Sequence, residues 1–104
     1  MATLEQLTDR IRRALATEDG LGASVKLDLR GEGVIRVDGA VVTNDDGPAD
    51  LVVSVSRADL VALGKGELDM MRAVMTGRMR LSDMGLAYAL RPRIQSLFET
   101  ATTA

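Results

Sequence analysis

The chain of 104 residues contains no cysteine and no histidine. The first absence excludes a disulfide framework, a thiol nucleophile and a thiolate metal site. The second removes the usual general base near neutral pH and the commonest metal ligand. Tryptophan is missing too, and one Phe and one Tyr are the whole aromatic complement. The core must therefore be aliphatic, and any cavity in it walled by Leu, Val, Ile and Met. No apolar run approaches the length of a membrane span, and MATLEQLTDRIRRAL at the N-terminus lacks the uninterrupted apolar stretch of a signal peptide. FETATTA at the C-terminus carries neither a peroxisomal nor a retention tripeptide. A cytoplasmic protein is the expectation.

Enzymatic chemistry finds little footing. No GxSxG is present, and no serine has a histidine to activate it. Gly31-Glu32-Gly33 and Gly64-Lys65-Gly66 lack phosphate-loop spacings and are better explained as turns. Asp45, Asp46 and Asp50 could share a hard cation, but without the twelve-residue calcium-loop pattern a plain acidic turn is the better reading. The net charge of −2 is too balanced for a nucleic-acid partner. The chain reads as a non-enzyme without cofactor or metal.

What the sequence has in quantity is methionine, and five of its six methionines (Met70, Met71, Met75, Met79 and Met84) fall within residues 64–90. A thioether chain has three rotatable bonds and a soft sulfur, so a cluster of them repacks around apolar shapes of different outline. The same property fills irregular gaps in a small core, and composition alone does not choose between the two.

Length allows one domain, residues 1–104, with one core. Thr3 with Gln6 forms a capping box, and Leu4, Leu7, Ile11 and Leu15 recur at helical spacing over residues 3–17; Gly20 and Gly22 end that helix. Val25, Leu27 and Leu29 alternate with polar residues as a strand, and so do Ile35 and Val37 after the Gly31-Glu32-Gly33 turn. Asp38-Gly39 favours a tight hairpin into a third strand at residues 41–43, and Leu51, Val53 and Val55 mark a fourth. With such brief connections these strands are expected to pair as an antiparallel meander, since parallel neighbours need a long crossover.

From Ser56 the period changes. Ser56 with Asp59 opens a short helix stopped by Gly64 and Gly66, and Asp69 caps another over residues 70–76 that ends at Gly77. Residues 78–82 alternate as a fifth strand, with Met79 and Leu81 inward. Asp83 then caps a last helix whose apolar stripe is Leu86, Leu90, Ile94, Leu97 and Phe98. Pro92 interrupts it, predicting a kink or a break near residue 91 that would serve either as a lid hinge or as a bend following the sheet.

This order of elements, α-ββββ-αα-β-α, resembles the sterol carrier protein type 2 family of lipid-transfer domains. The resemblance is carried by Ala49-Asp50 before an alternating strand, Asp59-Leu60 with Leu63, and Gly66-Glu67-Leu68-Asp69. Residues 73–81, AVMTGRMRL, and Asp83-Met84-Gly85-Leu86-Ala87 complete it. Ser82 stands where the family pattern usually has Gly. The resemblance implies an α+β fold: a five-stranded, mainly antiparallel sheet covered on one face by helices, with an apolar tunnel between the layers that takes lipids or fatty acyl chains.

On that reading the walls are the inward residues of the methionine-rich segment and the last helix: Met71, Val74, Met75, Met79, Leu81, Met84, Leu90 and Ile94. Tyr88 is the polar candidate, its hydroxyl placed to meet a headgroup unless it simply faces water. Between Met70 and Phe98 there are five arginines and one acid, a local net of +4 against −6 for the remainder. Such arginines more often form a solvated face that pairs with acids elsewhere. The other arrangement is a basic patch in transient contact with an anionic membrane surface. The partner expected is a small apolar lipid: a fatty acid, fatty acyl-CoA, phospholipid or sterol-like molecule. The alternative is a non-catalytic interaction or oligomerisation module of the same fold with a closed core, and the sequence leaves the oligomeric state open.

Overall fold

The computed structural model describes residues 3–15, 22–39 and 41–102. Helix α1 (Leu4–Leu15) opens on the capping box read from the sequence: the Gln6 amide donates to Thr3 Oγ1 at 3.2 Å, and the Thr3 amide donates to Gln6 Oε1 at 2.9 Å. Its Leu7, Ile11 and Leu15 are fully buried. The expected extension to residue 17 and the stop at Gly20 lie outside the described residues. Strands β1 (Val25–Asp28), β2 (Val34–Asp38) and β3 (Val41–Thr43) form antiparallel hairpins, and β4 (Leu51–Val55) follows a loop at residues 44–50. Helix α2 (Arg57–Gly64) is capped by Ser56 and α3 (Met70–Met75) by Asp69. Strand β5 (Met79–Leu81) and helix α4 (Met84–Thr102), capped by Asp83, complete the chain.

The sheet order β3-β2-β1-β4-β5 corrects the expected four-strand meander. Strand β4 leaves β3 and pairs in parallel with β1, with Leu27 opposite Val53. The crossover rule still holds, because β2 and β3 themselves lie in the connection between β1 and β4. Two features explain the choice. Strand β3 has three residues and an exposed Val41, which suits an edge, whereas Leu51, Val53 and Val55 are all fully buried, which suits an interior strand. The 44–50 loop is tied to polar side chains of β1 and β2, with Lys26 bonded to Asp46 at 2.8 Å and Arg36 Nε donating to the Pro48 carbonyl at 2.7 Å. A reciprocal clamp then sets the register: the Asp50 amide donates to Ser24 Oγ at 2.7 Å and the Ser24 amide to Asp50 Oδ2 at 3.1 Å.

Ser82 extends the β4–β5 pairing, its amide donating to the Val52 carbonyl at 3.0 Å while its hydroxyl accepts from the Val52 amide at 2.8 Å. A glycine there could make only the first of these bonds.

Buried residues of β1, β2 and β4 meet α1, α2 and α4 in a single apolar core around Phe98. Helix α4 packs against both α1 and α2. Gly64 makes the α2–α4 approach feasible, since a Cβ there would collide with the Phe98 carbonyl and the Thr102 side chain. Pro92 does not break α4, which is one helix of 19 residues. It does leave the Tyr88 carbonyl without its usual amide donor four residues on.

Candidate functional site

Helix α3 rests on β5, while the main helical packing of α4 is with α1 and α2. The corner between α3, β5 and the first half of α4 is therefore incompletely filled. Its floor is Val53, Met79 and Leu81, the last two inward by strand alternation and Val53 in register with Leu81. One wall is Met70, Met71 and Val74 of α3. The other is Met84, Ala87, Tyr88, Arg91 and Ile94, which recur at three- and four-residue steps and so share one face of α4. The recess they enclose has a volume of about 80 Å³ and opens to solvent.

Burial grades outward through this recess. Met79 and Ile94 at its base are 1% exposed, whereas Met71 (49%), Met84 (57%) and Tyr88 (73%) stand at its mouth. Beside it runs a wider groove of about 560 Å³, lined by Leu63, Leu68 and Asp69 on one side and Pro92 and Gln95 on the other. Met70, Tyr88 and Arg91 border both spaces.

Of the nine residues the sequence singles out, seven gather at the recess: Met71, Val74, Met79, Leu81, Met84, Tyr88 and Ile94. Met75 does not. It is 79% exposed, one turn beyond Met71 at the last residue of α3. Leu90 is buried in the core with Leu97 and Phe98, on a different stripe of α4. Val53, Met70, Ala87 and Arg91 also line the recess and are not among those nine. The helical spacing from Met84 to Ile94 was the available signal for the last two.

The arginines are not paired with acids as a solvated face would have them. Among the described residues, Arg72, Arg78, Arg80, Arg91 and Arg93 make no side-chain hydrogen bond or ion pair. Arg10, Arg12, Arg13, Arg30, Arg36 and Arg57 each have a protein partner. The acidic turn is occupied instead by structure, Asp46 bonding Lys26 and Asp50 bonding Ser24. Among the described residues no group of three or more acidic side chains is placed to hold a metal ion, and no helix is long and apolar enough to cross a membrane.

A mixed five-stranded sheet with helices on one face and an apolar recess at its edge defines a small α+β domain of the sterol-carrier type. The chain belongs to the SCP-2 sterol transfer family, whose family model matches residues 1–95. A comparison with curated proteins finds no match. Among solved structures it is similar to the crystal structure of sterol carrier protein 2 like 2 from Aedes aegypti, at a TM-score of 0.67 and 18% identity, covering 89% of this chain and 94% of that one. The solution structure of palmitated SCP2L2 from the same species gives 0.65 and 23%, covering 89% and 95%. The alkylsulfatase Pisa1 from Pseudomonas sp. gives 0.59 and 17%; 88% of this chain is covered but only 15% of that one, so there the fold is one part of an enzyme.

Proposed function

We propose that this protein binds the hydrocarbon chain of a lipid in the recess between α3, β5 and α4 and carries it in the adjoining groove. The observation that supports this reading is the lining itself: five of its eleven residues (Met70, Met71, Met79, Met84 and Tyr88) combine flexible thioethers with one amphipathic ring, and four of the eleven are methionine. A space of about 80 Å³ holds on the order of three methylenes, by comparison with cavities of about 150 Å³ that take benzene. A longer chain enters by displacing Met71 and Met84, whose exposed side chains lie outside the core and reorient without disturbing it. Each methylene withdrawn from water adds about 0.8 kcal/mol, so affinity comes from chain length more than from polar contacts. Fatty acids such as palmitate, fatty acyl-CoA and phospholipid chains suit such a site better than a rigid sterol. The exposed Met71, Met84 and Tyr88 give the mouth an apolar rim for transient contact with a membrane surface during loading.

The test is a displacement titration with saturated fatty acids of increasing length against a fluorescent fatty acid. Affinity is expected to rise by up to about fifteenfold for each added pair of methylenes until the groove is filled. Affinity independent of chain length overturns the reading. A ligand-free dimer whose mouth is covered by a second copy would favour an interaction module instead.

A further inference from the structure

The recess is apolar on every side but one. Arg91 is the single formally charged residue among those lining it, and it also borders the wider groove, so it stands where the two spaces join. Its guanidinium has no partner among the described residues. That is not the general condition of arginine in this fold, since all six arginines before α3 are engaged, some by backbone carbonyls far away in sequence such as Arg10 with Ala101 and Arg30 with Gly77. An unpaired planar fork of five donors at the exit of a dry recess is matched to a carboxylate or phosphate.

We infer that Arg91 anchors the anionic head of a single-chain lipid whose tail lies in the recess, and so selects such lipids over neutral ones of equal length. The inference rests on the recess being a lipid-chain site, as proposed above. A charged head cannot follow its chain among Val53, Met79 and Ile94, because nothing there would replace its water. It must stop where the recess opens, beside Arg91 and the Tyr88 ring. The wider groove gives a head of either size room. The acid in that groove, Asp69, is engaged as the cap of α3, accepting from the Arg72 amide at 3.2 Å, and makes the α3 side the less favourable one for an anion. Arg93, two residues on, is equally unpaired but lines neither space, so it serves as an internal control.

Binding of myristate, myristoyl lysophosphatidate and myristyl alcohol to the full chain is compared by titration calorimetry for the wild type, Arg91→Gln and Arg93→Gln. Both substitutions are at exposed, unpartnered positions, and melting curves confirm that the fold is kept. At least one anionic lipid is expected to bind about tenfold more tightly than the alcohol, as charge-assisted hydrogen bonds allow. Arg91→Gln should abolish that preference, lowering binding of the anionic lipid about tenfold more than that of the alcohol, while Arg93→Gln should preserve it. Which anion gains more tells carboxylate from phosphate. Equal binding of all three lipids by the wild type, an equal loss for all three in Arg91→Gln, or the same loss in Arg93→Gln overturns the anchor while leaving the lipid-chain site standing. No binding of any of the three overturns both.

Discussion

The two halves of α4, on either side of Pro92, belong to different parts of the molecule. The C-terminal half buries Leu97, Phe98 and Ala101 in the core shared with α1 and α2 and is sealed along that stripe. The N-terminal half presents Met84, Ala87, Tyr88 and Arg91 to a space that α3 only partly closes. One helix thus serves as keel at one end and as the wall of an open recess at the other. The difference lies in the partners: α1 has twelve residues and a strongly amphipathic face, whereas α3 has six residues, too few to be stable alone, and depends on the Asp69 cap and the burial of Ala73. Stability and ligand chemistry are therefore carried by different stretches of the same element and should respond to different substitutions.

Substitution at the sealed end should have the largest effect. Phe98→Ala empties the centre of the core and should cost about 3–5 kcal/mol, read as a large fall in the urea midpoint. Gly64→Ala, which in an open helix would be mildly stabilising, should instead destabilise by about 1–3 kcal/mol, because the added methyl meets the Phe98 carbonyl and Thr102. At the open end the readouts should separate. Met71→Gln should weaken fatty-acid binding by about tenfold, the cost of setting an amide against a buried chain, while shifting stability by less than about 0.5 kcal/mol. A loss of stability as large as that of Gly64→Ala would erase the contrast between the two ends. The smallest effect belongs to Met75→Gln, expected to leave both melting and binding within error, since that side chain is exposed and does not line the recess; weakened binding there would extend the site along α3 to its last residue.

Much of this was legible beforehand because it is local. Thr3 with Gln6, Ser56 with Asp59, and the caps Asp69 and Asp83 announce helix starts by chemistry within three residues, and all four bonds form. Alternation placed Met79 and Leu81 inward without knowledge of what lay above them. The strand order was not legible, because the partner of β4 depends on the Ser24–Asp50 clamp and on which edge the 44–50 loop can reach, contacts that span more than twenty residues. Nor could spacing assign Met71 to the recess and Met75 to solvent, since they share one helical face and only the end of α3 separates them. Apolar bulk does not mark Ala87 or Arg91 as wall residues, because the one is small and the other a cation; only the packing of α4 beside α3 and β5 brings them to the recess.

The sequence by itself determined the kinds of element, their caps, an aliphatic core and a methionine-rich corner, since each follows from neighbours along the chain. Only the tertiary structure decided that β4 would lie parallel to β1, that the corner would stay open, and that Arg91 would be left unpaired at its edge. Those outcomes depend on how well distant surfaces fit, and fit across space is set by lengths and volumes that no periodicity encodes.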